Sequence, residues 1–220
     1  MLMPKRGLKH HFKLERDSLE ALLGDGFPVG SIILIEGEEG SGKTVLCWRI
    51  TYGALKNGHS VTYLSSDHIT RSFIHHMASL NYDPLKYLID GSLLFIPKIT
   101  LRGPVKMPLA TMLTKREIVA SELIILDMPA LKKEDVSMIY TILKRLTWYR
   151  KSIILACDTD VGLGDEADIY LKVRRVLGEM GLTHGVDIVR FAGTKNRFRD
   201  AIQFRVEPQI GFVLEITEMI

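Results

Sequence analysis

The chain has 220 residues, enough to bury one large core and too few for two comfortable ones. Apolar residues make up 46% and charged residues 25%, an ordinary globular composition that excludes disordered, collagen-like and disulfide-scaffold classes. A formal charge of +3 is too small for the sequence-independent phosphate attraction that strongly basic nucleic-acid binders use.

The start, Met1 to Asp17, is basic but lacks the apolar region of a signal peptide, and no stretch approaches the length of a membrane span. A cytoplasmic protein is expected. Cys47 and Cys157 lie inside apolar runs without metal-ligand spacing, and read as small buried hydrophobes in a reducing compartment.

Ser31 to Glu36 (SIILIE) reads as a buried strand entered from a Pro28-Val29-Gly30 turn. After Gly37 to Thr44 comes a helix to about Lys56, with Leu46, Ile50 and Ala54 on one face and Asn57-Gly58 as its stop. Val61 to Ser65 is the next strand. Thr70 to Leu80 reads as a helix with Phe73, Ile74, Met77 and Leu80 on one stripe. Leu93 to Ile96 is a third strand, Lys98 to Pro108 a basic surface loop, and Ala110 to Ala120 a helix. Leu123 to Leu126 forms a strand ending in Asp127, Glu134 to Tyr149 a helix, and Ser152 to Ala156 a fifth strand. Four short strand-like runs follow, over Ile169 to Val173, Val186 to Ala192, Ala201 to Val206 and Phe212 to Ile216, with no helical pattern between them. Alternating strands and helices build a mostly parallel sheet, and the last four runs suggest an antiparallel extension. The division expected is a basic tail over 1–16 and a single domain over 17–220.

Gly37-Glu38-Glu39-Gly40-Ser41-Gly42-Lys43-Thr44 fits the phosphate-loop pattern GxxxxGK[ST] at every specified position, after a strand and before a helix. The glycines let backbone N–H groups close around a phosphate, and the helix N-terminus adds free donors and positive dipole. Lys43 can reach the β- and γ-oxygens, and Thr44 can offer its hydroxyl to Mg²⁺. A glycine turn that merely joins strand to helix is the bland alternative. Such a loop needs a second acidic residue, at the tip of an apolar strand beside the first, to hold Mg²⁺ through water; Asp127 supplies it. An aspartate there also serves as a helix cap or turn residue.

Hydrolysis requires a carboxylate that orients or deprotonates the attacking water. Some P-loop enzymes place it directly after the strand-end aspartate, where Met128 stands here; RecA-like enzymes place it at the end of the strand after the phosphate-loop helix, and that resemblance makes Asp67 the candidate. Aspartate is one C–C bond, about 1.5 Å, shorter than glutamate, and a misplacement of about 1 Å can cost a hundredfold. Asp67 reads equally as an N-cap for the following helix. Asp158 could sense phosphate or hold a turn. The histidines show no Cys or carboxylate partner at ligand spacing, and no metal set is expected of them.

The chain resembles the KaiC-like branch of RecA-fold ATPases, and within it the FlaH-like accessory proteins of the archaellum, the archaeal flagellum. The resemblance rests on Gly24-Asp25-Gly26-Phe27-Pro28-Val29-Gly30, IEGEEGSGKT (Ile35 to Thr44), YLSSD (Tyr63 to Asp67), LLFIP (Leu93 to Pro97) and RVEPQIGFVLEI (Arg205 to Ile216). It implies a RecA-like core that binds ATP and Mg²⁺ with little hydrolysis, in a homo-oligomeric ring, a hexamer, at the cytoplasmic base of the archaellum motor. The partners implied are the motor ATPase and the associated membrane platform. It also implies that Lys195 and Arg197 of Lys195-Asn196-Arg197 reach the γ-phosphate of a neighbouring subunit; a solvated basic loop is the alternative. With one domain spanning almost the whole length, a neighbouring copy is expected to complete the site. Asp67-His68 stand where KaiC carries paired glutamates, which argues against its autokinase and clock functions. The competing function is a DNA-stimulated RecA-like ATPase using Lys98 to Lys106, although that loop lacks the aromatic residues that single-strand binders use as stacking platforms.

Overall fold

A computed structural model describes residues 8–97, 109–158, 160–178, 181–192 and 201–215. Short β1 (Lys9–His10) pairs antiparallel with β2 (Phe27–Pro28), with α1 (Leu19–Leu22) between them. The SIILIE run forms β3 (Ile32–Glu36), and the phosphate-loop motif leads into α2 (Lys43–Lys56). Helix α2 stops because Gly58 takes a positive φ of 82°. The amides of Gly58 and His59 then turn back onto the carbonyls of Leu55 and Ala54, which closes the helix end.

Next come β4 (Val61–Ser65), α3 (Thr70–Ser79), α4 (Leu85–Ile89), β5 (Leu93–Ile96), α5 (Leu109–Met112) and α6 (Arg116–Ala120). Then follow β6 (Leu123–Asp127), α7 (Lys133–Trp148), β7 (Ser152–Cys157), β8 (Ile169–Gly178), β9 (Gly181–Phe191), β10 (Ala201–Glu207) and β11 (Gly211–Glu215).

Nine strands form one sheet in the order β11-β10-β9-β8-β3-β7-β6-β4-β5. From β8 to β5 neighbours run parallel, and from β8 to β11 they run antiparallel. The parallel core with an antiparallel C-terminal extension is therefore present. Parallel strands are buried on both faces, so they read as unbroken apolar runs whose alternate residues feed two cores. Ile33, Ile35, Leu123, Ile125 and Ile154 pack with Leu46 and Ile50 of α2 and Phe73 of α3. Ile32, Leu34, Ile124, Leu126 and Ile153 pack on the other side with Val136, Ile139 and Leu143 of α7.

Two expectations are corrected. Strand β6, which ends in Asp127, does not lie beside the phosphate-loop strand: β7 is inserted between β3 and β6. The helix expected over Ala110–Ala120 is two helices, with Lys115 extended at ψ 137° between them. Leu113 and Ile118 are both buried; on one continuous helix they would stand about 140° apart, and the break lets both face the core. Folding also gathers His10, His59 and Glu122, whose sequence spacing showed no ligand set.

Cys47 and Cys157 are buried and not disulfide-bonded. Among the described residues no helix is long and apolar enough to cross a membrane. The basic loop Lys98 to Pro108 lies outside the described residues.

Candidate functional site

At the C-terminal edge of the parallel strands, the loop from Gly37 to Gly42 turns from β3 into α2. Gly42 sits at the helix N-cap with φ 101°, and no side chain caps the helix. The first-turn N–H groups have no intrahelical acceptor, so they and the helix dipole are open to an anion. Gly37 is needed for a different reason: a Cβ there would stand 2.0 Å from the carbonyl oxygen of Val173 on β8.

Lys43 is buried and folds back over the loop. Its Nζ donates to the carbonyls of Gly37 at 2.7 Å and Glu38 at 2.8 Å, and pairs with Asp158 Oδ1 at 2.8 Å. The inserted strand β7 therefore has a role at the site, because Asp158 follows directly from it. Thr44 Oγ1 donates to Asp127 Oδ1 at 3.2 Å, and Tyr63 donates its hydroxyl to Asp127 Oδ2 at 2.7 Å. Asp127 is 2% exposed. Burial pushes its carboxyl up to about 6, against the opposing pull of the Tyr63 and Thr44 hydrogen bonds. A buried carboxylate held beside a threonine hydroxyl has the donor set and the unmet negative charge that a hard divalent cation satisfies. Residues Thr44 and Asp127 thus fit Mg²⁺.

Asp67 is exposed at the end of β4 and lines the same cleft, where it accepts a hydrogen bond from Ser66 Oγ at 2.7 Å. It does not cap α3, whose N-cap is Ile69 without a side-chain bond. Met128 is fully buried and offers nothing to the cleft. The cleft, of about 370 Å³, is lined by Gly40, Lys43, Thr44, Asp67, Asp158 and His184 among others. Its volume falls in the range of small-molecule sites. Glu38, Glu39 and Gly40 form the exposed lip of the loop, whereas Ser41 is buried. Lys195 and Arg197 lie outside the described residues.

Two contributors were not found from the sequence. His184 on β9 donates from Nδ1 to the carbonyl of Ser41 at 2.7 Å, which makes Nδ1 the protonated nitrogen. Its ring stacks on Phe204 of β10 at 5.1 Å, so the antiparallel extension braces the phosphate loop. Nothing in local spacing links positions 143 residues apart. Tyr63 did carry a signal, since a tyrosine inside a buried strand needs a partner for its hydroxyl.

A family model described as the ATPase KaiC matches residues 17–134. The archaeal flagellar ATP-binding protein FlaH of Methanocaldococcus jannaschii is 35% identical over 226 aligned positions, covering 94% of this chain and 95% of that protein. FlaH of Methanococcus voltae is 30% identical, covering 94% and 97%. The crystal structure of flagellar accessory protein FlaH from M. jannaschii superposes with a TM-score of 0.84 at 31% identity, over 96% of this chain and all of that one. A KaiC-like protein from Pyrococcus horikoshii shares the fold, with a TM-score of 0.76 at 20% identity.

Proposed function

The chain belongs to the KaiC family of P-loop ATPases and is related to FlaH, and on that premise we propose that it is an ATP-binding regulatory subunit of the archaellum motor, in which Mg-ATP controls assembly instead of being turned over rapidly. The observation that carries this reading is the contrast within one cleft. The binding half is complete: Lys43, the open N-terminus of α2, and Thr44 with Asp127. In the hydrolytic half, the carboxylate at the end of β4 is the short and exposed Asp67, and the residue after Asp127 is the buried Met128.

Gly37 to Thr44 hold the triphosphate through backbone N–H groups, and Lys43 exchanges its loop carbonyls for phosphate oxygens. Thr44 and Asp127 would hold Mg²⁺, which would supply charge neutralisation to the phosphates when bound. Lys195 and Arg197 reach the γ-phosphate of a neighbouring copy. Nucleotide thus links subunits in a homo-oligomeric ring, a hexamer, which docks on the motor ATPase and its platform at the cytoplasmic face of the membrane. The relatives' flagellar designation supports this choice of partner.

Phosphate release under multiple turnover, at saturating Mg-ATP, tests the reading. The expected rate is below about 0.1 s⁻¹, well under the ~10 s⁻¹ typical of enzymes. Several turnovers per second, lost in Asp67→Ala, would show an active ATPase instead.

A further inference from the structure

We propose that His10, His59 and Glu122 form a site for one divalent transition-metal ion, zinc foremost, at the edge of the sheet opposite the phosphate loop. His10 belongs to β1, His59 to the turn between α2 and β4, and Glu122 immediately precedes β6. Strand β6 separates the cluster from Asp127 by about 16 Å, so this site is distinct from the nucleotide's.

One candidate ligand atom from each of the three residues lies within 4.8 Å of the others. His59 Nδ1 is 3.2 Å from Glu122 Oε2, and the His10 and His59 rings meet edge to face at 5.1 Å. Donors on a tetrahedral zinc stand about 3.3 Å from one another, a contraction that side-chain rotation of His59 and Glu122 can supply. His10 is the second, independent observation. It is only 3% exposed, yet neither of its ring nitrogens has a hydrogen-bond partner. A buried imidazole is normally satisfied, and two unpartnered nitrogens beside an imidazole and a carboxylate mark a place for an electrophile.

The Glu122 carboxyl is held below its ordinary value, against burial, by the Ser60 amide and His59. The amide of His11 donates to His59 Nε2 at 3.1 Å. When Nδ1 binds metal, the His59 proton moves to Nε2, and this exposed amide turns to water. Lys151 and Arg150 also face His10 and weaken cation binding, so the site relies on its three donors and a water in the fourth position. Two imidazoles and one carboxylate select zinc over Mg²⁺ or Ca²⁺, which prefer oxygen. The ion would tie the N-terminal segment to the strand edge.

The test uses the tag-free full chain, stripped with chelator and free of nucleotide, titrated with zinc against a chromophoric chelator. One zinc per chain is expected, with a rise in melting temperature of about 5 °C at about 100 times Kd. Glu122→Gln, at a half-exposed position that tolerates change, weakens zinc at least tenfold, and His59→Ala at least as much. Asp127→Asn leaves zinc binding unchanged. The Co²⁺ form shows the visible absorption of four-coordinate cobalt. Equal zinc affinity in Glu122→Gln and wild type, or loss of zinc in Asp127→Asn, would overturn the proposal.

Discussion

Asp127 concentrates the conflict between stability and ligand binding in one side chain. Its folded pKa of about 6 lies above the ordinary 3.8, so between these values the native state holds a proton that the unfolded chain has released. Stability contributed by this group is therefore present below the unfolded value and lost as pH rises toward 6, a change of about 3 kcal/mol. Asp127→Asn removes the ionisation while keeping the shape. The expected result is a nucleotide-free protein that is more stable than wild type at pH 7, with a difference that shrinks toward pH 4. Urea unfolding of both proteins across that range measures it. The same variant should lose the thermal stabilisation that Mg-ATP gives the wild type.

Among the elements, α2 carries both the site and a buried ion pair. Arg49, fully buried, donates from Nε to Asp17 Oδ2 at 2.7 Å, from Nη2 to Asp17 Oδ1 at 2.5 Å, and from Nη1 to the carbonyl of Phe12 at 2.8 Å. Gly53 permits this approach, because a Cβ there would stand 2.1 Å from the Phe12 oxygen. The N-terminal segment is thus clamped to the helix that presents Lys43. Asp17→Ala strands a buried guanidinium and is expected to cost about 3–5 kcal/mol, read as a lower urea midpoint. Pairing it with Arg49→Met should recover much of the loss, since no unpaired charge remains.

The parallel strands β3, β4, β6 and β7 were legible because burial on both faces demands unbroken apolar runs. Helix α7 was legible from its stripe of Val136, Ile139, Leu143 and Leu146. The far half of the β8–β9 hairpin was not legible. Arg174, Arg175 and Leu177 are exposed there, so no apolar pattern marks a strand that is held mainly by its backbone ladder. Likewise the phosphate loop and Asp127 followed from a motif and a strand end. The Lys43–Asp158 pair, the His184 brace and the insertion of β7 depend on strand order, which local pattern does not encode.

At the scale of the whole molecule, the sheet has two working edges. The C-terminal edge of the parallel strands collects Lys43, Thr44, Asp67, Asp127 and Asp158 around one cleft, as expected where helices cover such a sheet and strand ends face outward. The opposite edge gathers His10, His59 and Glu122. Across the sheet, β9 and β10 brace the phosphate loop through His184 and Phe204. A nucleotide that bridges copies can stabilise a ring only by binding the ring better than the monomer. Assembly must then depend on Mg-ATP, and the dependence must vanish when binding does.

Sedimentation velocity with and without Mg-ATP, on the wild type and Lys43→Ala, tests this most directly. The expected result is a nucleotide-driven shift of the wild type to a discrete larger species, with the variant unchanged and its nucleotide affinity reduced at least about 100-fold, nearly 3 kcal/mol. An unchanged sedimentation profile in wild type, while calorimetry shows saturable Mg-ATP binding, would contradict the assembly switch.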